Sequence, residues 1–99
     1  MKSQTFALDY DDTFTADPSL WASVVRMAKD RSGHRFIMVT ARRETEENIE
    51  QINADLDHWG CQMPIVFTAL ASKLDTVAKR GIKIDIWIDD DPESLVRGH

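Results

Sequence analysis

Three carboxylates, Asp9, Asp11 and Asp12, stand directly behind the apolar run Phe6-Ala7-Leu8 and ahead of Thr13. A second group, Asp89, Asp90 and Asp91, stands behind Ile86-Trp87-Ile88. Carboxylates at close quarters repel, which raises their pKa values and costs stability unless a cation sits among them. Oxygen ligands of this hard type, with positions left for water and substrate, suit Mg²⁺. A divalent ion with Lys73 and the Thr40 hydroxyl would cradle a phosphoryl group, whose charge in transfer is spread over its equatorial oxygens. An aspartate can itself attack phosphorus, and the aspartyl-phosphate so formed divides one hard step into two. A second carboxyl two residues on, held off the metal, could protonate the leaving oxygen and then deprotonate water. The competing explanation for the first stretch is an acidic surface loop, unremarkable in a chain of net charge -5. The elements that carry these groups separate the two.

Thr5-Phe6-Ala7-Leu8 predicts a first strand, nearly continuous in apolar character, as in a parallel sheet covered on both faces. Asp17 offers an N-cap and Pro18 suits the first turn of a helix in which Leu20, Trp21, Val24, Val25 and Ala28 recur at helical spacing up to Gly33. Phe36 to Val39 predicts a second strand, closed by Thr40. From Glu44 to Trp59 the apolar positions Ile49, Ile52, Leu56 and Trp59 step by three and four, acids fill the first turn and Gly60 stops the pattern. Pro64 to Phe67 reads as a third strand, Ser72 to Arg80 as a short helix ending at Gly81, and Ile84 to Ile88 as a fourth strand. Asp91-Pro92-Glu93 suits the cap and first turn of a small terminal helix.

This alternation predicts an α/β fold: a three-layer, Rossmann-like domain with a parallel sheet of about four strands and right-handed crossovers. Ligands of such sheets bind beyond the carboxyl ends of the strands. Asp9 and Asp11 follow the first strand, Thr40 the second and Asp89 to Asp91 the fourth, while Lys73 begins the helix after the third. All fall on one edge. A solvated acidic loop has no reason to recur at the same end of separate strands.

Composition bounds the rest. A chain of 99 residues with 42% hydrophobic content suits one domain, residues 1–99. Apolar runs such as Phe36 to Val39 fall far short of the roughly 20 residues of a membrane span, and no basic, apolar, small-residue signal opens the sequence. A soluble, cytoplasmic protein with no membrane partner is expected. Cys61 stands alone, so neither an internal disulfide nor a paired zinc site is implied, and it reads as packing. The acidic balance argues against broad attraction to nucleic acid. Nucleic acid enters only as a possible substrate.

Taken together these residues resemble the haloacid dehalogenase superfamily of phosphohydrolases, over nearly the whole chain. The family's first motif, an apolar strand followed by D-x-D-x-T, is matched by Leu8-Asp9-Tyr10-Asp11-Asp12-Thr13. Ile37-Met38-Val39-Thr40 matches its second, Lys73 its third, and Ile86-Trp87-Ile88-Asp89-Asp90 its fourth. The first motif alone is weak, whereas four in order, each at the correct end of its element, are specific. The resemblance implies a Mg²⁺-dependent phosphomonoester hydrolase acting through an aspartyl-phosphate. Asp9 would be nucleophile and metal ligand, and Asp11 the general acid/base, with its backbone carbonyl on Mg²⁺. Thr40 would hold a phosphoryl oxygen, and Lys73 would neutralise phosphoryl and nucleophile. Asp90 would be the direct metal ligand and Asp89 the neighbour that orients Lys73 or a water, with the reverse order also open.

The chain departs from the family pattern at some points. Asp12 replaces the glycine often found before the motif's Thr. Lys79 and Lys83 follow Lys73 on the same segment. The sequence ends soon after the fourth strand, so the further strand of many relatives is missing and an exposed edge could support a homodimer. Only Phe14 to Ala16 separate Thr13 from Asp17, and only Thr68 to Ser72 separate the third strand from Lys73, so neither usual cap position holds a lid. A capless, open site is implied. In such relatives it accepts phosphorylated small molecules, macromolecular phosphate ends or phosphoproteins, or relies on a second subunit for closure. Thr40-Ala41-Arg42 is similar to the matching segment of some polynucleotide 3'-phosphatase-like members, which keeps polynucleotide ends among the candidates. Arg42 on the active edge could take a phosphate in bidentate fashion, or Arg42 and Arg43 could pair with Glu44, Glu46 or Glu47.

Other readings fit less well. A receiver domain places its acid pair first, then a lone acceptor Asp, then Thr and Lys, whereas here the order is Asp-x-Asp, Thr, Lys, Asp-Asp. No glycine-rich loop ending in Lys-Ser/Thr occurs, which excludes a P-loop. The rival from another class is a catalytically weak scaffold that binds a phosphorylated partner. His34, His58 and His99 are expected in surface or capping roles, Trp21 and Trp59 in the core, and Arg26, Lys29 and Arg31 on a solvated helix face.

Overall fold

The computed structural model describes residues 2–98. Its elements follow the expected order: β1 (Thr5–Leu8), α1 (Pro18–Ser32), β2 (Arg35–Thr40), α2 (Glu46–Trp59), β3 (Ile65–Phe67), α3 (Lys73–Lys79), β4 (Ile86–Ile88) and α4 (Glu93–Arg97). Among the described residues one all-parallel sheet forms in the order β3-β2-β1-β4. Helices cover both faces, giving an α/β fold of three layers. On one face Leu8, Phe36 and Met38 pack with Ala22 and Val25 of α1 and with Ile52 and Leu56 of α2. On the other, Ala7, Val39 and Val66 pack with Val77 of α3. This two-sided burial explains why the strands read as unbroken apolar runs. Among the described residues no helix is long and apolar enough to cross a membrane.

The register puts the chemistry at one edge. Leu8 pairs with Met38 on one side and Ile88 on the other, so β1 and β4 end level, and the Asp9 N–H continues the ladder by donating to the Ile88 carbonyl at 2.9 Å. The first carboxylate of each acidic group thus leaves the sheet beside the other. Both β3 and β4 are edge strands.

Element ends differ from expectation where side chains intervene. α2 begins at Glu46 rather than Glu44, because Thr45 is extended and its hydroxyl accepts the Asn48 N–H at 3.1 Å, which makes it the cap. Gly60, at φ 68°, closes that helix in the left-handed conformation that glycine adopts without strain. β4 begins at Ile86 rather than Ile84. Asp85 ends the pairing there, its carboxylate accepting the Thr5 N–H while its own N–H donates to the Thr5 carbonyl, both at 2.9 Å. β3 starts one residue late because Pro64 has no N–H for the ladder, although its carbonyl accepts from Met38.

Candidate functional site

Between β1 and α1 the chain makes a wide, kinked turn over Tyr10–Phe14, closed by bonds from Phe14 N to Asp9 O at 3.2 Å and from Thr15 N to Tyr10 O at 3.0 Å. Tyr10 and Phe14 are fully buried and fix the turn from below, with the Tyr10 hydroxyl donating to the Asp55 carboxylate. Burial, then that bond, push the Tyr10 phenol up to about 12. The turn brings Thr13 back over Asp9, and the Thr13 hydroxyl lies 3.0 Å from Asp9 Oδ2. The sequence showed only a loop here, although its signal was present in two aromatics four apart bracketing three polar residues.

Asp12 sits in this turn at φ 63° and ψ 2°. That is the left-handed region, which costs most L-residues about 1–2 kcal/mol and which Asp tolerates better than most. The position wants glycine for steric reasons, and the aspartate carries a remaining cost. Asp12→Gly is expected to raise the unfolding free energy by about 1 kcal/mol, read from the urea midpoint at unchanged m. A midpoint that stays or falls would show that the turn holds Asp12 without cost.

Lys73, the first residue of α3, is 2% exposed, and its ammonium donates to Asp9 Oδ1 at 2.8 Å and to Asp89 Oδ2 at 2.5 Å. Ser72 positions it by capping α3, accepting from Asp75 N at 3.2 Å and donating to the Leu95 carbonyl of α4. The other Asp89 oxygen accepts the Asp91 N–H at 2.9 Å. Asp90 points the other way, with its N–H 3.2 Å and its carboxylate 3.3 Å from the Thr13 hydroxyl. Oxygens of Asp9, Asp89 and Asp90 lie within 4.8 Å of one another, a group that could hold a metal ion. All-oxygen donors of this kind suit a hard cation.

Burial pushes the Asp9 carboxyl up to about 6; the Lys73 ammonium pulls it down, and Asp90 and Asp89 push it up again. Burial alone would lower the Lys73 pKa, but its bonds to Asp89 and Asp9 outweigh that and raise it. Lys73 is therefore a fixed positive charge. Asp9 at pH 7 and above is an anion kept in the cluster against the cost of desolvation.

Arg42 reaches across from the segment after β2 and grips Asp11 with two bonds, Nε to Oδ2 at 3.0 Å and Nη2 to Oδ1 at 2.9 Å. Asn48 and Gln51 of α2 hold its remaining nitrogen, and its guanidinium lies 5.0 Å above the Tyr10 ring. Of the alternatives open in the sequence, the pairing with Glu44, Glu46 or Glu47 is not the one formed. Thr40 is fully buried at the end of β2, and its hydroxyl oxygen accepts the Arg42 N–H at 3.3 Å. That bond steadies the segment that carries Arg42. A cavity of about 390 Å³ opens between Asp9, Asp11, Arg42, Lys73 and the Asp89 to Asp91 segment.

A larger cleft, about 670 Å³, lies at the opposite edge of the sheet between Lys29, Arg35, Ile82 and Lys83. Its charged groups are exposed, whereas the smaller cavity has a buried lysine and a buried carboxylate at its floor. Perturbed, buried titratable groups mark the place where chemistry is arranged. The smaller cavity is therefore the candidate site.

The remaining residues singled out in the sequence are structural. His34 accepts the Gln4 N–H and meets Phe6 edge-on, while His58 is exposed against Trp59. His99 lies outside the described residues. Trp21 and Trp59 are half-buried against the larger core, and Cys61 is buried within it. Arg26 and Lys29 are exposed; Arg26 donates to the Trp59 carbonyl at the end of α2 and Lys29 to the Gln62 carbonyl just beyond it. Comparison of the chain with protein-family models, curated proteins and solved structures gave no match.

Proposed function

We propose that the chain is a Mg²⁺-dependent phosphomonoester hydrolase of the haloacid dehalogenase type, working through an aspartyl-phosphate on Asp9. The observation that carries this reading is the buried Lys73 joined to both Asp9 and Asp89, with Asp90 beside them, at the carboxyl edge of the sheet. A merely structural ion pair would need one carboxylate, not a third one held nearby.

The donor set fits Mg²⁺: Asp9 and Asp90, with the Asp11 carbonyl, would hold it, and when bound it would supply positive charge to the phosphoryl oxygens. The chain's own groups do the rest. Lys73 holds Asp9 by one oxygen, and Asp9 attacks phosphorus as the bond to the leaving oxygen breaks. The Asp11 carboxylic acid gives that oxygen its proton. In the second half Asp11 takes a proton from water, the water oxygen attacks phosphorus, and the acyl-phosphate bond breaks to return Asp9 and free phosphate. Asp89 orients Lys73, and Thr13 steadies Asp9 and Asp90.

Arg42 clamps Asp11 through both carboxylate oxygens. A phosphate arriving beside Lys73 competes for the guanidinium, because Arg binds phosphate in the same two-pronged way as a carboxylate. Binding then frees Asp11 for proton transfer. The absence of a lid between β1 and α1 or between β3 and α3 leaves the site open to phosphorylated small molecules or to macromolecular phosphate ends. A second subunit on an edge strand could close it.

The test is a screen of nucleotides, sugar phosphates, phosphopeptides and 3'-phosphorylated oligonucleotides with millimolar Mg²⁺. Phosphate release that stops with chelator and returns with Mg²⁺ is the expected result. No release from any class would turn the assignment toward a scaffold that binds a phosphorylated partner.

A further inference from the structure

The segment Thr68 to Ser72 joins β3 to α3, where a lid would otherwise be inserted, and it holds two consecutive non-glycine residues in the left-handed region, Ala69 at φ 51° and Leu70 at φ 68°. Each such residue costs about 1–2 kcal/mol, and such conformations persist only where the surroundings over-determine them. Here they do. Thr68 N donates to Thr40 O at 2.9 Å, Ala69 N to Arg42 O at 3.2 Å and Leu70 N to Ala41 O at 2.9 Å, so the segment is pinned to the strand end that carries Arg42. From the other side Gly98 packs so closely that a Cβ there would stand 2.2 Å from the Leu70 carbonyl oxygen.

This arrangement leaves the Leu70 side chain in the wall of the acidic cavity, with the residue 47% exposed and Ala41 also in that wall. A lone exposed leucine on a protein surface needs no explanation. A leucine at a position where glycine would be unstrained, in the one apolar stretch of an otherwise charged cavity, does. The remaining lining is carried by Asp9, Asp11, Asp12, Asp89, Asp90 and Asp91, against the two cations Arg42 and Lys73. Those cations suit one phosphoryl group, and the surplus of carboxylates repels any further negative charge brought by the leaving group.

We propose that Leu70 is a specificity residue of this site, and that the substrate is a single phosphomonoester on a neutral leaving group with an apolar face, aryl or nucleoside, which lies against Leu70. The inference rests on the phosphatase reading and narrows it. Polyphosphates, acidic phosphopeptides and long polynucleotide ends bring charge that the wall opposes, and small polyol phosphates bring no apolar face.

The experiment compares kcat/KM for phenyl phosphate, a nucleoside 5'-monophosphate, glycerol phosphate and a 3'-phosphorylated oligonucleotide, with Mg²⁺, in wild type and three variants. Phenyl phosphate and the nucleotide should exceed the other two by about tenfold or more, since one apolar contact is worth about 10–200-fold in discrimination. Leu70→Ala should lower kcat/KM for those two about tenfold while glycerol phosphate stays within about twofold. Leu70→Asn keeps a residue type that tolerates the left-handed conformation, so it should fold and lose the same preference. Ala69→Gly should raise the melting temperature and keep the preference, which separates the side chain's role from the loop's strain. Equal rates on all four esters, or a preference that survives Leu70→Asn, would overturn the assignment of Leu70 and leave the phosphatase standing. No hydrolysis of any ester would remove both.

Discussion

Asp9→Asn abolishes phosphate release in the expected result, with far-UV and near-UV circular dichroism unchanged. The amide is nearly isosteric with the carboxylate and keeps an oxygen for the Lys73 ammonium, so the sheet and the turn have little reason to move. It is a poor nucleophile, and loss of the attacking group in a concerted constellation costs on the order of 10⁴–10⁶ in kcat. Asp11→Asn should be slower by about 10²–10⁴, the value of one positioned proton transfer, while a beryllium or aluminium fluoride complex still binds it with Mg²⁺. That ordering of the two variants would identify Asp9 as nucleophile rather than base. A phosphate-binding scaffold predicts something else, namely that neither substitution alters any measured function and no ester is turned over. Hydrolysis that survives Asp9→Asn in rigorously purified protein would falsify the covalent route.

Much of this was legible in the sequence because its signals are local. Continuous apolar runs such as Phe36 to Val39 announce buried parallel strands, and Asp17-Pro18 with Gly33 brackets α1 to the residue. Once the strands are placed, the edge rule collects Asp9, Asp11, Lys73, Asp89 and Asp90 without any knowledge of side-chain geometry. Of the two acids after β4, Asp89 pairs with Lys73 and Asp90 lies against Thr13, a division that the sequence left open.

What stayed hidden depends on contacts between distant segments. Arg42 was visible as a cation on the active edge, but Glu44, Glu46 and Glu47 are nearer in sequence than Asp11, and only the turn at Tyr10–Phe14 brings Asp11 within reach. Thr40 was expected to hold a phosphoryl oxygen; its hydroxyl oxygen also accepts from the Arg42 backbone, a local bond available to any Thr at a strand end and one that leaves the hydroxyl proton to donate. Positive φ at Ala69 and Leu70 has no residue-type signal at all, because neither is glycine or asparagine. Such sites, where local preference is overridden, are where functional constraint is expected to collect.

Replacing Lys73 tests the centre of the site without needing a substrate. Lys73→Met keeps the aliphatic stem and removes the ammonium, leaving Asp9 and Asp89 with no cation at the floor of the cavity. Breaking a buried pair by removing one partner costs about 3–5 kcal/mol, because the other charge stays buried and uncompensated. That is a large part of the roughly 5–15 kcal/mol that holds a domain folded. The pH dependence has a definite sign. The Asp9 pKa is already raised from 3.8 to about 6, chiefly by burial and against the pull of Lys73, so removing Lys73 raises it further. A carboxyl whose folded pKa is raised favours the native state fully below its unfolded value and loses that contribution as pH rises through the folded value. Wild type should therefore lose some stability between about pH 4 and pH 6 from this group, and Lys73→Met should lose more, over a window reaching higher. At pH 5 the variant should be folded, with a urea midpoint near that of wild type, and at pH 8 it should be severely destabilised. Bound there, Mg²⁺ would supply positive charge to the same oxygens, and a ligand that binds only the native state stabilises it by mass action. Millimolar Mg²⁺ should raise the melting temperature of both proteins at pH 8 and of neither at pH 5, where protons compete for Asp9. The variant should gain more in degrees, because Mg²⁺ there would replace a missing charge as well as fill a site. A Lys73→Met protein as stable as wild type at pH 8, or one indifferent to Mg²⁺ at that pH, would show that Asp9, Asp89 and Asp90 do not form a cation-dependent centre.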